Sequence, residues 1–195
     1  RDASNMGWLT FTFSLQKKFE ALFPDKLEVI RMHQQQENLK FMSHFHRKFI
    51  IHKGKRAQHN SGNEVKLYQI RSNGNPLCTR CIQIVPSATN LNSAFCFLLK
   101  VPFNNEVDSG IVYVWIGDRS DPSESKLAEE IGTELSRVGD FDVQVLNEGQ
   151  EPDNFFWVGI GGRAEYERSA DFMDFSRLFR CSNEKGYFAV SEKCT

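Results

Sequence analysis

No apolar run in this sequence approaches the roughly 18 residues that a membrane-spanning helix needs, and no leader of the charged-then-apolar type opens it. Neither a transmembrane segment nor secretion is therefore expected. Cysteine is sparse: five residues, odd in number and scattered. That excludes a disulfide framework and makes the reducing cytosol the expected location. Net charge is nearly absent at −1, but the balance hides an asymmetry. Residues 1–71 carry 13 Lys/Arg against 6 Asp/Glu, and residues 72–195 carry 11 against 19. The first part is thus the side expected to meet an anionic partner. Charge alone leaves nucleic acid open, but no motif points to it and it is not expected as a partner.

Catalytic constellations are lacking too. Cys78-Thr79-Arg80-Cys81 is a C-x-x-C, but it falls inside a predicted strand, where residues three apart point to opposite faces and nothing depresses a thiol pKa. Zinc would need a second pair, and Cys96, Cys181 and Cys194 lack that spacing. His44 and His46 come without an H-E-x-x-H or a nucleophile elbow. Gly159-Ile160-Gly161-Gly162 lacks the Lys-Ser/Thr of a phosphate loop. The chain is expected not to be an enzyme and to need no cofactor.

What the sequence does have is concentrated between Gly110 and Gly162. Ile111 to Ile116 is an apolar, β-branched and aromatic run suited to a strand buried on both faces. Ser120-Asp121-Pro122 supplies a helix start, with a capping side chain next to a Pro at the first helical position. Leu127, Ile131, Leu135 and Val138 form one apolar stripe opposite Lys126, Glu129, Glu130, Thr133 and Arg137, and Gly139 closes the helix. A strand from Phe141 to Leu146 and a short aromatic helix opened by Glu151-Pro152 complete a small α/β unit.

The flanks read as pieces of the same unit. Trp8, Phe11, Leu15, Phe19 and Leu22 share one face of a helix ending at Phe23. Leu27 to Met32 alternates as a strand, Glu37 to Phe45 reads as a short helix, and Phe49 to Ile51 is extended. Strands are predicted at Lys66–Arg71, Leu77–Val85, Ala94–Lys100, Leu178–Cys181 and Gly186–Ser191. Gln36-Glu37-Asn38-Leu39-Lys40-Phe41 matches Gln150-Glu151-Pro152-Asp153-Asn154-Phe155 at a spacing of 114, and Leu67-Tyr68 matches Leu178-Phe179 at 111. The resulting expectation is the second half of one unit at 1–56, a linker at 57–64, a whole unit at 65–165, a linker at 166–176 and the first strands of another at 177–195. In that division the Trp8/Phe11/Leu15/Phe19 face lacks the strands it should cover. A bare aromatic stripe of that size is a pairing liability.

The run VYVWIG, the acidic helix after it, and VLNEGQEPDNFFWVGIGG resemble the gelsolin/villin superfamily, and the resemblance extends over the whole chain. Its register suggests the end of repeat four, all of repeat five and the start of repeat six of a six-repeat array. The resemblance implies an α/β fold in which each repeat places a central mixed β-sheet between one long and one short α-helix. It also implies a cytoplasmic, cytoskeletal protein that binds actin, with severing or capping of filaments, under control by calcium and phosphoinositides.

For actin, the family uses the exposed side of the long helix. Leu9 and Phe13 lie about 100–140° from the core stripe, beside Gln16, Lys17 and Glu20. An apolar ridge with a polar rim suits docking, although the same two residues could cover the edge of their own sheet. For phosphoinositides, Arg47, Lys48, Lys53, Lys55 and Arg56 flank a short apolar segment. A charge-protected edge strand has the same composition. For calcium, Glu124 matches the helix ligand of the family, but Phe95 stands where calcium-binding relatives carry Asp, and no carboxylate lies between Asp2 and Glu20. Calcium binding is expected to be weak or absent. The other reading is a protein–protein interaction scaffold with degenerate calcium sites and little actin binding. An oxidoreductase built on Cys78 and Cys81 ranks third.

Overall fold

The computed structural model describes residues 6–30, 32, 37–54, 64–72, 76–103, 108–171, 178–182, 186 and 189–194. They fall into two units, Arg1–Phe41 and Met42–Thr195.

The first unit is dominated by helix α1, Met6–Leu22. The following turn closes with Phe23 N–H donating to the Phe19 carbonyl at 3.0 Å. Residues 27–30 and 32, where alternation predicts a strand, are irregular, and Leu27, Val29 and Ile30 are exposed. Alternation marks the two faces of a strand but supplies no neighbour to bond with, and no described strand pairs here. The short helix α2, Leu39–Ser43, straddles the division between the units. Asn38 starts it, its Oδ1 accepting from Phe41 N–H at 2.8 Å.

The second unit is built on a six-stranded mixed sheet. Its strands are β1 (Phe49–Ile51), β2 (Lys66–Arg71), β3 (Arg80–Ile84), β4 (Cys96–Pro102), β5 (Ser109–Ile116) and β6 (Asp140–Asn147), in the order β1-β3-β2-β4-β5-β6. β1–β3 and β5–β6 pair parallel, and the other neighbours pair antiparallel. β1, expected to belong with residues 1–56, is thus an edge of the sheet that β2 to β6 form. The strand expected at Leu77–Val85 is shorter, because Pro76–Cys78 forms a 3-10 turn ahead of Arg80. Cys78 and Cys81 therefore lie in different elements. Beyond the sheet, β7 (Leu178–Ser182) and β8 (Ala189–Cys194) form an antiparallel pair.

Side chains at period two send alternate residues of the central strands into two cores. Phe97, Leu99, Tyr113 and Trp115 pack on one face against Phe156, Trp157 and Ile160 of the short helix α4 (Phe155–Gly159) and its end. Leu98, Val112 and Val114 pack on the other against Leu127, Ile131 and Leu135 of α3 (Pro122–Ser136). A central mixed sheet between a long and a short helix is the architecture expected from the sequence. Asp121 caps α3, its carboxylate accepting from Ser123 N–H at 2.7 Å, with Pro122 at the first helical position. Gly139, at φ +103°, ends the turn after the helix in a backbone region closed to most side chains. Val138, expected in the apolar stripe, falls beyond the last helical turn and is exposed.

Residues 166–171, expected to be linker, lie against this sheet. Tyr166 packs edge-on to Trp115 with centroids 5.6 Å apart, and Asn92 Nδ2 donates to the Ser169 carbonyl at 2.9 Å. Of the expected linker at 57–64, only Glu64 is among the described residues.

Candidate functional site

On α1, positions 9, 13, 16, 17 and 20 follow one another at helical spacing along a single strip. Phe13, Lys17 and Glu20 are exposed and Gln16 is half-buried. Gln16 Nε2 donates to Glu20 Oε1 at 2.7 Å, which holds two polar members of the rim in place. Leu9 is on the helix, but its side chain lies outside the described residues. Exposure does not separate this ridge from the neighbouring aromatic stripe: Phe13 and Phe19 are both 45 % exposed. Large apolar side chains of α1 are thus partly exposed both on its stripe and beside the polar rim.

The basic stretch is divided by the backbone. His46 and Arg47 adopt φ of 49° and 70°, a left-handed turn that redirects the chain from α2 into β1. Arg47 is half-buried, and its Nη2 donates to the Ser123 carbonyl in the first turn of α3 at 3.5 Å. Lys48 and Lys53 flank β1, with Lys53 exposed and its backbone N–H donating to Gln83 Oε1 at 3.0 Å. Lys55 and Arg56 lie outside the described residues. The structure thus turns Arg47 toward α3 and leaves Lys48 and Lys53 at the two ends of the edge strand.

Glu124 sits in the first turn of α3, half-buried, and its carboxyl pKa is pushed up by that burial and then by Asp121. Phe95 is buried among the side chains on the α4 side of the sheet, with the Arg71 guanidinium 5.9 Å from its ring centroid. Phe95, the residue on which the expectation of weak or absent calcium binding rests, thus packs in the core. Among the described residues no group of three or more His, Cys, Asp or Glu is gathered where it could hold a metal. As for thiol chemistry, Cys81 is buried, and burial pushes its thiol far above the ordinary range.

A carboxylate that the sequence reading passed over organises the loops at the end of β5. Glu148 Oε1 accepts from Ser93 Oγ at 2.7 Å and its Oε2 from Asp118 N–H at 2.9 Å, tying the turn before β4 to the turn after β5. Glu151 Oε1 accepts from Trp115 Nε1 at 2.7 Å. Glu151 also borders a cleft of about 590 Å³, lined with it by Trp157, Arg163, Tyr166 and Arg168. Burial, and then Glu151 and Glu148, push the Tyr166 hydroxyl up to about 12. In the sequence Glu151 marks the opening of the short helix, but neither acid carries a local signal of the distant hydrogen-bond donors it meets.

Residues 83–156, from β3 into α4, match the family described as Gelsolin repeat. The flightless-1 homologue of Homo sapiens is 64 % identical over 195 residues, covering 100 % of this chain and 15 % of that protein. The chain thus carries a stretch similar to a gelsolin repeat. Gelsolin of Gallus gallus is 38 % identical over 135 residues, 66 % of this chain and 16 % of that one. Among solved structures, that of a Thorarchaeota protein in complex with rabbit actin is similar at a TM-score of 0.39 and 17 % identity, covering 78 % of this chain and 76 % of that one. The chain spans about 15 % of the length of the flightless-1 relatives it matches. Within it, the matched gelsolin repeat contains Phe95, Glu124 and Glu148. The α1 ridge and the basic stretch lie outside the matched residues.

Proposed function

We propose that this chain binds actin, with the α1 ridge of Leu9, Phe13, Gln16, Lys17 and Glu20 as the docking face. The observation that carries the reading is the partly exposed ring of Phe13, set beside exposed Lys17 and a Gln16–Glu20 hydrogen bond. An apolar centre with a polar rim is the usual anatomy of a protein interface. Association with the actin cytoskeleton follows from that reading, and capping or severing of filaments are its finer forms. Phosphoinositide headgroups are the proposed ligands of Lys48, Lys53, Lys55 and Arg56, with Arg47 contributing less because its guanidinium is turned to α3. A second reading, a scaffold for other proteins, is favoured by the buried ring of Phe95 at the position where calcium-binding members of the resembled family carry Asp.

Co-sedimentation with actin filaments, with and without calcium, tests the proposal. Saturable binding indifferent to calcium is expected, and Leu9→Asp plus Phe13→Asp should weaken it at least tenfold with the far-ultraviolet circular dichroism unchanged. No sedimentation in either condition, or full binding by the double variant, would favour the scaffold reading. Liposome co-sedimentation with Lys53, Lys55 and Arg56 changed to Ala tests the lipid ligand, and unchanged binding to phosphoinositide vesicles would remove that assignment.

A further inference from the structure

The sheet ends in two edges of opposite character. β1 is three residues long, Phe49–Ile51, with Lys48 before it and Lys53 two residues after it. Short length and flanking lysines are standard protection for a sheet edge against unwanted pairing. β6 has neither. It runs for eight residues, Asp140–Asn147, without Pro or Lys. Its pairing with β5 is continuous from Ser109↔Asp140 to Ile116↔Asn147, so no bulge twists it aside. Among the described residues, no strand takes its outer side.

The side chains along β6 are patterned. Val143 and Val145 are 39 % and 46 % exposed and, two residues apart, point to the same face. That face is the one toward α3, because the Val143 Cγ1 lies 3.7 Å from where a Cβ on Gly132 would sit. Asp140, Asp142 and Gln144 alternate on the opposite face and are exposed. Between Asp140 and Gly162 the chain has five carboxylates and no Lys or Arg. Two of the five stand in the strand itself.

We propose that β6 is a strand-docking edge that takes an extended, basic segment of another protein. Such a segment would extend the sheet by main-chain hydrogen bonds, which supply affinity without sequence demands, while alternate side chains select the partner. Residues directly opposite on neighbouring strands share a face. A partner with Lys or Arg at every second position therefore sets cations against Asp140 and Asp142, and apolar residues between them continue the Val143–Val145 ridge. A second copy fits less well. Its own β6 brings the same carboxylates, and its basic β1 has only three residues with which to cover eight.

The test uses the whole 195-residue chain, isotope-labelled for amide hydrogen exchange by nuclear magnetic resonance. The probes are two synthetic nine-residue peptides, one alternating Lys and Val and the other alternating Glu and Val. The Lys/Val peptide is expected to slow exchange of the β6 amides that do not pair with β5 by at least tenfold, and the Glu/Val peptide to leave them unchanged. Asp140→Lys plus Asp142→Lys, at exposed positions, should weaken Lys/Val binding at least tenfold with an unchanged melting temperature. Should that pair perturb folding, Val145→Lys alone should weaken it several-fold. Equal effects from both peptides, or no protection of β6 at millimolar Lys/Val peptide, would overturn the proposal. So would concentration-dependent dimerisation of the chain that Val145→Lys abolishes, since the edge would then be occupied by a second copy.

Discussion

α1 and α3 carry apolar stripes that superimpose at an offset of 116 residues, Phe11 on Leu127, Leu15 on Ile131 and Phe19 on Leu135. On α3 these side chains are 1 %, 0 % and 9 % exposed, and on α1 they are 57 %, 40 % and 45 % exposed. The difference is not in the pattern, since both helices bring their apolar residues to one face at three- and four-residue spacing. It lies in what stands opposite. α3 has Leu98, Val112 and Val114 of the sheet to pack on, and α1 has no such surface among the described residues of its own unit. Periodicity therefore identifies a face, and a neighbouring element decides whether that face becomes core or remains available to a partner. Burying a side chain of this size stabilises by about 1.5–3 kcal/mol, a gain that α3 realises almost fully and α1 only in part.

The strongest way to break the comparison is to truncate matched positions. Ile131→Ala should cost about 2–5 kcal/mol, from lost burial plus the cavity left behind. Phe19→Ala should stay within about 0.5 kcal/mol, as is usual for a surface site. Urea denaturation followed by circular dichroism measures both, and equal losses would mean that the α1 stripe is covered in solution. Gly132→Ala sharpens the α3 side. Alanine favours a helix interior by about 1 kcal/mol over glycine, but here its Cβ would meet Val114 Cγ2 at 2.6 Å and Leu98 Cδ2 at 3.4 Å. Both neighbours are fully buried, so a net loss of about 1–2 kcal/mol is expected from overpacking. A rise in stability would show that α3 rides more loosely on the sheet than the geometry indicates.

Much of the second unit was legible because its signals were local. The apolar run at Ile111–Ile116 is β5, Asp121-Pro122 begins α3, and Gly139 follows its end, as their chemistry predicts. Less was legible where a distant neighbour decided the outcome. Alternation at residues 27–32 suggested a strand, but no ladder forms there among the described residues. Phe49–Ile51 read as extended, but its place beside β3 depends on a pairing across about 30 residues that no local pattern encodes. Arg47 looked like one member of a basic patch, whereas a left-handed turn aims it at Ser123. The candidate actin ridge is legible only as a strip on α1, because periodicity assigns faces and not partners. The β6 edge was not legible at all, since which strand ends a sheet is a property of the topology.

The smallest expected effects separate the two helix starts by pH. α1 has no acidic residue in its first turn, whereas α3 begins with the Asp121 cap and then Glu124. The Ser123 side-chain and backbone hydrogen bonds hold the Asp121 carboxyl below its ordinary range. Its stabilising contribution is therefore present at neutral pH and is lost as pH falls through its folded value. Glu124 has the opposite sign: burial, then Asp121, raises its pKa, so its ionised form opposes folding at neutral pH and that opposition disappears in acid. Asp121→Asn should lower the melting temperature of the second unit at neutral pH, and Glu124→Gln should raise it. Both differences should close as pH falls below the ordinary carboxylate values, and both should be smaller than the loss from Gly132→Ala. Melting curves between neutral pH and about pH 3 measure this. Two variants shifting in the same direction would mean that the carboxylates act as one solvated pair, and that α3 starts no differently from α1.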